Sequence, residues 1–158
     1  MKKTTFLISI AMLMLFSCAK KNTGSTHEQL EISHTTICGW CAPGDSLTIT
    51  KASTSYLYYP SSCERKGDVK QDATDDNDWN ELVSLLNIEK FKKINLSLCN
   101  VCADGCDAIV TVKSGNFTHT ISYGGIDNEA AASIKPFLEK LIAIQKKYRP
   151  LNASADIE

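Results

Sequence analysis

Three absences bound this chain before anything present in it is read. It has no excess of positive charge: 17 lysines and arginines stand against 18 aspartates and glutamates, and without Lys2 and Lys3 the balance is 15 against 18. A surface with no basic field does not attract phosphate backbones, so nucleic acid is not expected as a partner. Its amino-terminal apolar run, Phe6 to Phe16, is too short to cross a bilayer, since a spanning helix needs about 20 residues at about 1.5 Å each. It also lacks a Gly-x-Ser-x-Gly elbow, a His-Glu-x-x-His pair and a phosphate-cradling glycine loop. These are the local devices that activate a serine, hold a zinc ion or seat a nucleotide. No catalytic residue, metal ligand or cofactor is therefore assigned, and an enzymatic role has no support.

What is present begins with an address. Met1-Lys2-Lys3 is basic, Phe6 to Phe16 is uncharged and apolar, and the small Ser17 precedes Cys18, the order of a secretory signal. Leu15-Phe16-Ser17-Cys18 resembles the lipobox of bacterial lipoprotein signal peptides. That resemblance implies a signal peptide over residues 1–17, acylation of Cys18 with palmitate-type chains, and a protein anchored in the bacterial cell envelope, at the outer membrane or the periplasmic face. Several acyl chains on one cysteine make such an anchor stable, because each buried CH₂ contributes about 0.8 kcal/mol. The competing reading is an ordinary signal peptide cleaved elsewhere, with Cys18 incidental. Residues 18–34 are polar without a sustained period and read as a lipidated flexible tether,. Residues 35–149 suffice for a single domain, and 150–158 read as a frayed tail,.

Six further cysteines, Cys38, Cys41, Cys63, Cys99, Cys102 and Cys106, form an even set in an exported chain and read as a disulfide framework,. Loop entropy favours long-range pairing. A Cys38–Cys41 bridge would stabilise by roughly 2 kcal/mol, and a bridge from either of them to the 99–106 cluster by roughly 4. Two pairs have Cys-x-x-Cys spacing, Cys38-Gly39-Trp40-Cys41 and Cys99-Asn100-Val101-Cys102, so two other chemistries compete. A thioredoxin-type dithiol needs its first cysteine at a helix amino terminus. Here Cys41 is followed by Ala42-Pro43-Gly44-Asp45 and then by the alternating Ser46-Leu47-Thr48-Ile49-Thr50, which reads as strand. A zinc ribbon needs its two pairs about 15–20 residues apart, whereas residues 42–98 separate these. His27, His34 and His119 read as surface or edge histidines.

The elements follow from period and punctuation. Ser46–Lys51 and Tyr56–Tyr59 are predicted as strands of a hairpin, the second ending at Pro60,. Tyr56 and Tyr58 share one face of it and Tyr59 takes the other. The acidic stretch Asp72–Asp78 lacks the spacing and glycine of an EF-hand loop and reads as the solvated start of a helix,. Asp78 and Glu81 have capping-box spacing, and Trp79, Leu82, Val83 and Leu86 make one apolar face,. Ile94–Leu98 is predicted as a third strand. Ala108–Lys113 and Phe117–Tyr123 form a hairpin about Ser114-Gly115-Asn116,. A helix over Asn128–Tyr148 closes the order, with Pro136 either kinking it or sitting in its first turn,. The expected fold is α+β: an antiparallel sheet of about five strands with two helices, in the order ββαβββα, stapled by disulfides.

The run Cys99-Asn100-Val101-Cys102-Ala103-Asp104-Gly105, ahead of a hairpin and a terminal helix, resembles a group of uncharacterised small cysteine-containing envelope lipoproteins of bacteria, of the Bacteroidota type. The likeness extends over Cys38 to Tyr148. It departs at Cys106, where a glycine is usual, and it brings no activity with it. The leading functional expectation is a non-enzymatic envelope module that is membrane-bound through its lipid and presents a surface to a protein, glycan or small ligand. The alternative is an envelope thiol-disulfide oxidoreductase or metal-binding protein using the Cys-x-x-Cys pairs.

Overall fold

In the computed structural model, residues 29–150 are described except Ser62 and Arg65. The expected signal peptide over residues 1–17, Cys18, most of the expected tether including His27, and the expected tail from residue 151 lie outside the described residues. Six strands arise where apolar and polar side chains alternate or where a neighbour imposes extended backbone. They are β1 (Leu30–Cys38), β2 (Gly44–Thr50), β3 (Ser53–Tyr59), β4 (Asp68–Ala73), β5 (Cys106–Ser114) and β6 (Phe117–Ser122). All neighbours pair antiparallel in the order β4-β3-β2-β1-β5-β6. The helices are α1 (Asp76–Leu85), the single turn α2 (Ile88–Phe91) and α3 (Lys135–Tyr148), with 3₁₀ turns over Asn100–Ala103 and Glu129–Ile134.

An α+β antiparallel architecture is thus observed, but with six strands where about five were expected and, among the described residues, three helices in the order ββββααββα instead of two in the order ββαβββα. β1 is an addition: Leu30–His34, read as the end of a tether, belong to the central strand, and Leu30, Ile32 and His34 are buried. β4 is another addition, every residue of it exposed. The expected strand Ile94–Leu98 is a correction. That segment runs beside β6 with only a parallel bridge between Ser97 and Ser122, held by backbone bonds from Leu98 to Ser122 and from Ser122 to Leu96. The cap of α1 is a second correction. The Asp75 carboxylate accepts from the backbone N–H groups of Asn77 and Asp78, while Asp78 pairs with lysines of α3.

One face of the sheet carries the core. Ile32, Leu47, Ile49, Tyr56, Val110, Val112 and Ile121 pack with Trp79 and Leu82 of α1 and Phe137, Leu138, Leu141 and Ile144 of α3. Each fully buried side chain of this size contributes about 1.5–3 kcal/mol. Pro136 sits in the first turn of α3, after the 3₁₀ turn, where its missing N–H has no helical partner to lose. The opposite face is rich in hydroxyls, with Thr35 bonded to Ser46 and Thr111 to Thr120.

Candidate functional site

At one end of the sheet a cleft of about 700 Å³ opens between β1, β5, the loop after β6 and the second half of α3. Strand alternation aims His34 and Thr36 of β1 at it, and the antiparallel register places Val110 and Ala108 of β5 beside them. α3 contributes Ile142, Gln145 and Lys146 from its last two turns, and Arg149 follows at its C-cap, residues spaced to recur on one helix face. Gly124 closes β6 with φ +65°, a left-handed conformation that glycine adopts without a Cβ penalty. A Cβ there would press on the Asn100 amide and Leu98.

His34 forms the floor. It is 3% exposed, and both ring nitrogens are engaged: Nδ1 with Gln145 Oε1, and Nε2 with the Tyr123 hydroxyl at 2.7 Å. A neutral ring satisfies this pattern, with Nδ1–H donating to the amide oxygen and the phenol donating to Nε2. Burial pushes the His34 pKa down, against the smaller upward pulls of Gln145 and Asp45. Burial likewise pushes the Tyr123 phenol up.

A second polar node lies next to the first. Asp45, across from Thr36 in the β1–β2 register, is fully buried. Its Oδ2 accepts from the Tyr56 hydroxyl at 3.0 Å and from Arg149 Nε and Nη2 at 3.2 and 2.9 Å. Burial and the neighbouring Asp45 carboxylate raise the Tyr56 phenol. Burial acts to lower the Arg149 pKa, and Asp45 outweighs it. Two buried polar atoms have no protein hydrogen-bond partner among the described residues: Asp45 Oδ1 and Gln145 Nε2.

The cysteines are joined as Cys38–Cys106, Cys41–Cys63 and Cys99–Cys102. Cys38 and Cys106 face each other across β1 and β5, so this bridge clips the two halves of the chain together as loop entropy favours. Cys106 also lines the cleft. Cys38 and Cys41 are not partners, and the Cys38-Gly39-Trp40-Cys41 turn carries Trp40 and Cys41 at φ +53° and +57°. The second motif does close locally, across the 3₁₀ turn that the Asp107 carboxylate caps at the backbone N–H groups of Asn100 and Val101. Among the described residues no group of three or more His, Cys, Asp or Glu side chains is arranged to hold a metal ion.

His119 is the edge residue expected of it, bonded to the Ile94 carbonyl and packed on Phe91 and Phe117. The tyrosines divide as alternation requires. Tyr56 enters the core, and Tyr59, on the other face, donates to the Thr36 carbonyl. Sequence reading missed the site's centre, because His34 was placed in a tether and Gln145, Asp45, Tyr123 and Arg149 carried no motif. One signal was available: Gln145 interrupts the stripe Leu138, Leu141, Tyr148, and a polar residue on a buried face needs a partner. Compared with known proteins, the chain matches no family model and no curated protein.

Proposed function

We propose that this chain is a lipid-anchored, disulfide-held binding module of the bacterial cell envelope, non-enzymatic, which takes its ligand in the cleft between β1, β5 and α3. The observation that carries the reading is Gln145, 2% exposed on the wall of an open cleft, whose amide nitrogen has no hydrogen-bond partner among the described residues. A buried donor without an acceptor costs about 1–3 kcal/mol, and a ligand that brings an acceptor recovers that cost on binding. His34 is held at both nitrogens and kept neutral by burial, so it orients the amide and is not free to take a substrate proton. The lipobox-like Leu15–Cys18 supports the anchor, and three disulfides suit an oxidising compartment,.

The test pairs metabolic labelling by an alkyne-tagged palmitate with thiol alkylation before and after reduction. Label on the wild type, none on Cys18→Ser, and cysteines blocked until reduction are the expected results. An unacylated product whose cysteines alkylate without reductant refutes the reading. A second reading rests on the Cys99–Cys102 bridge, whose two cysteines are exposed: a dithiol at this position would pass two electrons to a substrate disulfide and be left oxidised. Insulin reduction driven by dithiothreitol, faster with the wild type than with Cys99→Ser/Cys102→Ser, would favour it over the binding module.

A further inference from the structure

Resting on the cleft as the ligand site, we propose that the ligand is a small monocarboxylate with an aliphatic body, its carboxylate met by Gln145, Thr36 and Lys146 and its chain by Ile126 and Ile142. The polar atoms of the lining are unevenly divided. Among the described residues, Gln145 Nε2 is a buried donor without an acceptor, and the Thr36 hydroxyl and the Lys146 ammonium, on the same lining, donate to no side chain. The side-chain acceptors are fewer: both oxygens of Asp107 hold backbone N–H groups, at 2.8 and 3.2 Å, and the Tyr123 hydroxyl, which gives its proton to His34, keeps only its oxygen as an acceptor,. An excess of donors selects an acceptor-rich group.

Charge narrows the class. Arg149 is neutralised by Asp45 at 2.9 Å, and Lys146 is an exposed cation of the lining with no ion pair among the described residues. Asp107, buried on the same lining, has both carboxylate oxygens held by backbone N–H groups, so the exposed Lys146 ammonium is the charged donor left to a ligand, and a singly charged group suits it better than a phosphate dianion, which would add to the negative charge of Asp107 in a partly desolvated cleft. Beside Tyr123, Cys106, Ala108 and two glycines, the wall carries two aliphatic side chains, Ile126 and Ile142, that are only partly buried. Such a wall contributes through apolar area and asks for no aromatic ring. The volume, about 700 Å³, lies within the range that encloses a small organic ligand.

The experiment uses the mature acylated protein in nanodiscs, labelled at isoleucine methyls and glutamine side-chain amides, and titrated with octanoate, octylamine and octan-1-ol. Saturable shifts of Ile126, Ile142 and the Gln145 amide by octanoate are expected, with weaker or absent shifts by the other two. Lys146→Glu, a change at an exposed position, should weaken octanoate by at least about fivefold, and Ile142→Trp, which fills the cleft, should remove the shifts while leaving the remaining spectrum folded. Binding of octylamine or octan-1-ol as tight as that of octanoate, or indifference to Lys146→Glu, overturns the carboxylate and leaves the cleft a binding site. Shifts by none of the three probes overturn the inference. Octanoate binding that survives in Ile142→Trp overturns the cleft itself.

Discussion

His34 makes the most direct prediction, because its ring is both a structural strut and a titrating group. Replacing it by leucine keeps most of the volume and removes both hydrogen bonds, leaving Gln145 Oε1 and the Tyr123 hydroxyl unpaired in the interior. Each orphaned group costs about 1–3 kcal/mol, and burying leucine returns part of that, so His34→Leu should lose roughly 1–4 kcal/mol at pH 7.5. The sign of the pH dependence follows from the lowered pKa. The native state favours the neutral ring, so the unfolded chain takes up a proton first as pH falls below the ordinary histidine value of 6.5. Below that value the unfolded state binds more protons, and stability falls with pH by up to about 1.4 kcal/mol per unit. At pH 5.0 the wild type should have lost up to about 2 kcal/mol that His34→Leu never had. Urea denaturation of both proteins at pH 7.5 and 5.0 measures this, and the other histidines cancel because both proteins carry them. The gap between the two proteins must narrow toward acid. A gap that stays constant or widens refutes the neutral, doubly bonded ring.

Three further outcomes test other parts of the fold. Asp78→Ala breaks the clamp of Lys140 and Lys147 at 3.1 and 2.7 Å and should cost about 1–2 kcal/mol by urea denaturation, less in high salt. Burial works to raise the Asp78 pKa, but the two lysines outweigh it and hold it below 3.8, so this contribution is present above that pH and disappears as pH falls through the lower native value. Double serine variants of the disulfides should rank by sequence separation, 68, 22 and 3 residues, with losses of about 4, 3 and 2 kcal/mol; a reversed order in equilibrium unfolding would contradict the chain-entropy account. Trp40→Gly should raise stability by about 1 kcal/mol in the same assay, because Trp40 sits at φ +53°, an unfavourable conformation for a residue with a Cβ, and its side chain is 81% exposed with little packing to lose.

How legible each element was depends on where its cause lies. The β5–β6 and β2–β3 hairpins and helices α1 and α3 have local causes: alternation, turn residues and an apolar stripe. β4 has none. Asp68–Ala73 carry charge and no alternation, and the strand exists because β3 pairs with it from Ser53 to Tyr58. β1 is hidden by its composition, since a histidine and a threonine occupy inward positions where apolar residues mark a strand. Ile94–Leu98 shows the converse. Its alternation is real, with Ile94 buried, yet the chain passes the edge of β6 with a single bridge. The disulfide partners depended on register between β1 and β5, which no local pattern contains.

The arrangement of staples and polar groups argues that oxidation and the stability of the cleft end are linked in this fold. The cleft end is costly to bury: it holds His34, Asp45 and Gln145, and one side-chain atom each of Asp45 and Gln145 has no hydrogen-bond partner among the described residues. At about 1–3 kcal/mol for each such atom, that end carries a penalty of the same size as the stabilisation, about 4 kcal/mol, expected from a bridge closing 68 residues,. That bridge joins β1 to β5 beside His34's own strand pair and lines the cleft at Cys106. A purely apolar end would not need it there. Removing Cys38–Cys106 should therefore expose the β1–β5 pairing around His34 to hydrogen exchange before helices α1 and α3, while removing Cys99–Cys102 should not. Uniform loss of protection across the sheet in the first variant would separate the disulfide from the cleft and refute the linkage.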